Sequence, residues 1–147
     1  MGKAGKVEIV HGRFKTQEDV AQLVAAVHCG VFPSRAEGWN LPLCECMAMG
    51  RAVIATDYSA HTEFCTPAAA RLISIDKLEP SFDGKWFHGE GEWAHFGQRQ
   101  MEQLVWHLRQ VHEERAQSRL KLNTAGIEQM SNFTWDAAAK RLLEVIE

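Results

Sequence analysis

Two carboxylates, Glu37 and Glu45, stand in an otherwise apolar and small-residue run, PSRAEGWNLPLCECMAMGRAVIAT, with seven residues between them. Asn40 is a preferred N-cap residue, and Pro42 falls in the first helical turn, where its missing N–H costs nothing. Gly50 stands where a left-handed C-terminal cap is wanted. The spacing predicts a short helix from about Leu41 to Met49, with Glu37 on the loop before it and Glu45 one turn in. The free N–H groups and positive dipole end of such a helix stabilise an anion, most naturally a diphosphate. Carboxylates are acceptor-only and hold vicinal hydroxyls well, so two of them beside an anion site suit a ligand carrying both groups. A nucleotide sugar has that mixture: a ribose diol, a diphosphate and a hydroxyl-rich hexose. The competing reading makes Glu37 a solvated loop acid and Glu45 a partner of the helix dipole. Spacing alone leaves both open.

Other side chains are weaker candidates. His61 and Glu63 lie in the turn after AVIAT, near the expected site; His61 could meet a ligand, and Glu63 could equally be a helix-start acid. Arg35 shares a loop with Glu37 and could approach phosphate or simply be solvated. Trp86, Trp93 and Trp106 could stack on sugars or anchor loops to the core. The histidines lack companions at metal-ligand spacing, so no metal site is expected. Cys44 and Cys46 are two apart on the expected helix, so their side chains diverge and suit neither a disulfide nor a zinc pair.

The elements that must position these groups read as α/β. Val7–Val10 (VEIV) is a short β-rich run ending in an HGRF turn. Thr16–Asp19 resembles a capping box, and Val20, Leu23, Val24 and Val27 recur at helical spacing, predicting a helix near 17–28. VFP and AVIAT are apolar strands of the parallel-sheet kind, and Leu72–Ile75 is a fourth strand. This order argues for a short parallel sheet of about four strands with crossover connections. Residues 78–96, rich in Gly and Trp, show no period and read as a long structured loop. Helices follow through Met101–Val111, near 114–130, and from a Thr134 cap to Ile146, an all-helical tail.

At 147 residues the chain suits one domain. A net charge of -3 carries no electrostatic footprint for nucleic acid or an anionic membrane. No apolar run is long enough for a membrane span, and MGKAGKVEIV has no signal-peptide core. The four cysteines have no extracellular spacing, so reduced thiols in the cytoplasm are expected.

The run PSRAEGWNLPLCECMAMGRAVIATDYSAHTEF resembles the E-x7-E segment of the group-1 (GT4-type) retaining glycosyltransferases of GT-B fold, whose pattern is approximately PSxxEGFGLxxLEAMACGxPVIAS followed by a Gly-Gly-x-x-E turn. Glu37 and Glu45 fall on the two acids, and Gly38, Leu41, Ala48, Gly50, Val53, Ile54 and Ala55 match as well. FKTQEDVAQLVAAVHCGVFPS resembles the helix and strand leading into the motif, and NFTWDAAAKRLLEVI resembles the closing helix. The resemblance implies a partial Rossmann-like, donor-binding half-domain. It implies that Glu45 holds ribose hydroxyls and that Glu37 holds the donor sugar near its anomeric carbon. Backbone at Gly38, Trp39, Asn40 and Leu41 would meet the sugar and diphosphate, and His61 and Glu63 would stand beside them. No cofactor or metal is implied. Asn40 replaces the second glycine of the pattern, and Ser59-Ala60 replaces the Gly-Gly pair.

The resemblance also implies absent parts: an acceptor domain and the first strands of the donor domain. The chain is therefore expected to be a single truncated nucleotide-sugar-binding domain, without turnover on its own. Either VEIV pairs beside VFP, or the open sheet edge is covered by a second copy or another domain. A non-catalytic interaction module is the alternative, and a dinucleotide-binding domain is disfavoured because no G-x-G-x-x-G follows a strand.

Overall fold

The computed structural model describes residues 7–9 and 14–146. Its centre is a three-stranded parallel sheet, β1 (Cys29–Phe32), β2 (Ala52–Thr56) and β3 (Arg71–Ile73), in that spatial order. Helix α1 (Gln17–Ala26) precedes β1, and α2 (Leu41–Ala48) connects β1 to β2. A single 3₁₀ segment (Ser59–Glu63) leads from β2 towards β3. An antiparallel hairpin follows, β4 (Leu78–Phe82) and β5 (His88–Ala94). Helices α3 (Gln98–Ala116), α4 (Thr124–Ser131) and α5 (Trp135–Ile146) complete the chain.

The central strand is apolar except for its last residue, Thr56, because both its faces are covered. Val53 and Ala55 face a cluster with Leu43, Cys46 and Met47 of α2, Phe64, and Met130 of α4. Ile54 faces the other way, against Ile73 and Val111, with Leu104 of α3 packed alongside. Full burial of side chains such as Leu43, Met47 and Phe64 stabilises the sheet by roughly 2–3 kcal/mol each.

Helix ends follow local chemistry. Thr16 and Asp19 form a reciprocal capping box on α1. At the end of α2, Arg51 N–H donates to Cys46 O and Gly50 N–H to Met47 O, both at 2.9 Å, with Gly50 at φ 66°. This is a Schellman closure. A Cβ on Gly50 would stand 2.6 Å from Leu122 Cδ1, so any other residue there would also have to shift the Leu122 side chain.

Three expectations change. The sheet has three strands rather than four: Val7–Ile9 form no strand, with Val7 84% and Ile9 70% exposed, while Val10 lies outside the described residues. Residues 78–94 are a hairpin, not a loop. Its period is hidden by Gly89 and Gly91, both at positive φ, and by a register irregularity between Pro80 and Phe82. The helix expected near 114–130 is α4 alone, because α3 runs on to Ala116 and a turn with Ser118 at φ 54° intervenes.

Candidate functional site

The loops leaving β1 and β2 meet at the carboxyl end of the sheet, where open α/β folds place ligands. Asn40 sits at φ 70°, the left-handed region, which Asn tolerates better than most residues. Its Oδ1 accepts from Leu43 N–H at 3.2 Å and so caps α2. That bond fixes Nδ2 as the donating end. Nδ2 then reaches His61 Nε2 at 2.9 Å and Glu37 Oε1 at 3.4 Å. Ser34 Oγ donates to the same Glu37 oxygen at 2.6 Å. Ser59, at φ 52°, accepts the Glu37 backbone N–H on its Oγ at 2.9 Å. Two of the three positions where the resemblance implies glycine, Asn40 and Ser59, therefore keep the left-handed backbone, and each adds a bond to Glu37.

His61 is fully buried. Its Nδ1 lies 2.9 Å from Thr56 O, which can only accept, and its Nε2 faces the Asn40 donor. The hydrogen-bond pattern therefore assigns the Nδ1–H tautomer. Thr56 Oγ1 donates to Ser34 O at 2.6 Å. The ring thus ties β2 to the Asn40 cap, and both its nitrogens are engaged within the protein. Glu63 is exposed at the end of the 3₁₀ segment.

At the start of α2 the amides of Gly38, Trp39 and Asn40 have no acceptor among the described residues. Leu41 is 64% exposed. A Cβ on Gly38 would meet nothing within 4 Å, so neither packing nor a positive φ requires glycine there, and the backbone stands open to approach. Trp39 turns back onto Phe64 and Phe133, with ring centroids at 5.2 and 5.3 Å. With Leu41 and the start of α5 it lines an apolar cleft of about 800 Å³.

Glu45 lies apart from the Glu37 network, in a cleft of about 200 Å³ between α1 and α2. Gln17, Val20, Ala21, Val24, Ala48 and Met49 complete that cleft, so one carboxylate stands among mostly apolar walls. Arg35 does not turn to the α2 N-terminus. It pairs with Glu79 of the hairpin and stacks on Trp93. Trp86, Trp93 and Trp106 lie on different parts of the fold, the first at the hairpin turn and the last on α3. Among the described residues no three His, Cys, Asp or Glu side chains gather as a metal-holding group. No helix among them is long and apolar enough to cross a membrane.

The roles of Asn40 and Ser59 as supports of Glu37 escaped the sequence reading. The signal was present: Asn and Ser replacing glycines at two turns name residues able both to bend the chain and to bond locally.

The fold and these contacts define an α/β unit with an acid-bearing loop and a helix N-terminus at the end of a parallel sheet. Residues 3–78 match the family model for glycosyl transferases group 1, just over half the chain, and the protein belongs to that family. Glu37, Asn40, Glu45, Ser59 and His61 all fall within the match, which ends as the hairpin begins. No curated protein matches the chain.

Proposed function

We propose that the chain is the donor-binding part of a retaining, GT4-type glycosyltransferase of GT-B fold, with Glu37 and Glu45 as the acids of an E-x7-E motif. The observation that carries this reading is the open N-terminus of α2, flanked by Glu37 in a built network and Glu45 in a cleft. The nucleoside would lie along α2, with Glu45, in its own cleft between α1 and α2, accepting the ribose hydroxyls. Amides of Gly38, Trp39, Asn40 and Leu41 would face the diphosphate and sugar. When the anomeric C–O bond breaks, the electron pair leaves with the diphosphate, and preset N–H donors stabilise that charge. Glu37 would hold the sugar beside the reacting carbon, and Glu63 would stand at the edge of the same site. His61 would act from behind, through Asn40. The reading requires no metal or cofactor.

An acceptor hydroxyl must arrive from elsewhere, so turnover by this chain alone is not expected. The remaining groups would come from an acceptor domain, or from a second copy across the β1 edge, which has one neighbour, β2, among the described residues. On the same reading the protein works in the cytoplasm, with its thiols reduced. A second reading, a non-catalytic nucleotide-binding or interaction module of the same ancestry, draws on α5, where Leu142, Leu143, Val145 and Ile146 are all exposed.

A thermal-shift series with UDP-, GDP- and ADP-sugars tests donor binding against a module that binds no nucleotide. One donor class is expected to raise the midpoint at saturating concentration by about 8 °C, the size expected for 100-fold excess over Kd. Glu45→Ala should abolish that rise. No shift with any of the three classes would favour the interaction module.

A further inference from the structure

The hairpin lies beyond the stretch that matches the family, yet it is anchored on the candidate site. It leaves the end of β3, passes Tyr58 after β2, whose hydroxyl donates to Glu92 O at 3.3 Å, and ends against Arg35 after β1. It therefore crosses the carboxyl ends of all three parallel strands, on the side where the Glu37 loop emerges.

Arg35 makes most of the join. Its backbone O accepts from Ala94 N–H at 2.8 Å, and its Nε donates to Ala94 O at 3.1 Å. Its Nη2 pairs with Glu79 Oε1, and His95 Nδ1 meets the other oxygen of that carboxylate at 2.7 Å. Its guanidinium lies over Trp93, 3.9 Å from the ring centroid. The Trp93 indole N–H is buried without an acceptor among the described residues. The ring is thus held by packing, by Phe87 edge-on at 5.7 Å, and by the cation on its face. Arg35 stands two residues from Glu37, and the intervening loop is short and bonded at both ends, by Ser34 and by Ser59. The chain between them is short enough to pass a displacement of Arg35 on to Glu37.

We propose that Arg35 is a positioning residue, and that through it the hairpin sets the placement of Glu37 and walls the sugar side of the donor site. The sugar-facing half of this inference rests on the donor-binding reading above; the coupling of hairpin to Glu37 does not. Lysine cannot replace Arg35 well, because it offers neither a planar face to Trp93 nor a fork that reaches Glu79 and Ala94 O together.

Amide hydrogen exchange on the 147-residue chain tests the coupling without any ligand. In Arg35→Met the Ala94 and Glu37 amides should exchange about tenfold faster, while Val53, Ile54 and Ala55 in the central strand stay protected. Arg35→Lys should fall between, and Glu79→Gln should speed the Glu37 amide from the hairpin side. An unchanged Glu37 amide in Arg35→Met, with or without a faster Ala94, overturns the proposal. Loss of protection in the central strand would mean general unfolding, and Glu79→Gln then decides alone. Titration calorimetry with UDP against UDP-glucose, GDP against GDP-mannose and ADP against ADP-glucose tests the wall. Arg35→Met should weaken the sugar nucleotide about tenfold relative to its free diphosphate. An unchanged ratio refutes the wall. Wild-type protein that binds no member of the three pairs refutes the donor reading and the wall with it, while the exchange result still judges the coupling.

Discussion

Asn40 does three things with one side chain: it tolerates a left-handed backbone, caps α2 and bridges His61 to Glu37. These can be separated by substitution. Both substitutions leave the buried His61 Nε2 unmet, for about 1 kcal/mol. Asn40→Gly keeps the backbone and adds, by cap statistics, only a few tenths of a kcal/mol, whereas Asn40→Ala also loses the cap and strains the left-handed position, for about 2 kcal/mol more. Urea unfolding should therefore rank wild type above Asn40→Gly, and Asn40→Gly well above Asn40→Ala. Equal stability of the two variants would deny the strain. The residue types at 37, 40 and 45 were legible as a candidate from type and spacing, which left the reading of solvated acids open beside it. The burial of His61 was not, because its partner Asn40 comes to it from the α2 cap, outside any local pattern.

Elements with strong local signals were legible: the capping box on α1, the Asn cap and Gly closure of α2, and the continuous apolar β2. Those lacking them were not. The hairpin alternates glycine with charged residues along β5, so no apolar face marks it as a strand. VEIV carries strand propensity, yet Val7–Ile9 form no strand, because propensity alone does not set a ladder. Between the elements, Asn123 ties several together. Its Oδ1 accepts from Gly126 N–H as the α4 cap, and its Nδ2 donates to Arg51 O at 3.1 Å and to Ala69 O at 2.8 Å. Its backbone N–H donates to Gly50 O at 2.9 Å. Asn123→Ala removes the cap and leaves two carbonyls unmet, which should destabilise the chain by about 2 kcal/mol and lower Tm by roughly 6 °C in calorimetry. A drop within 1 °C, on the order of ordinary surface changes, would show that water serves these carbonyls as well.

At the scale of the molecule, the four thiols are distributed around the sheet and share one electrostatic consequence. Burial pushes Cys29 and Cys44 up to about 11 and Cys65 to about 12 from an ordinary 9.0, and it raises Cys46 as well. Above pH 9 the unfolded chain therefore releases thiol protons that the folded chain retains. The stability they contribute is whole below that pH and is lost as pH rises towards 11–12. Chemical unfolding under reducing conditions should show stability falling between pH 9 and 11, with a shallower fall in Cys65→Ala. A slope identical in the variant would mean that other groups carry the alkaline transition.

The join between Arg35 and the hairpin also has a place in time. The hairpin closes over a turn of a few residues, an event of about 1–10 μs. The parallel strands need crossovers and form more slowly. The clamp between them spans 59 residues of chain and exists only once both halves are complete. By its sequence separation it is expected among the later contacts made in folding. Brief excursions of the native molecule should lift the hairpin and loosen the Glu37 loop while the sheet stays shut. The acid nearest the proposed chemistry would then sit at the hinge of the molecule's most accessible partial opening.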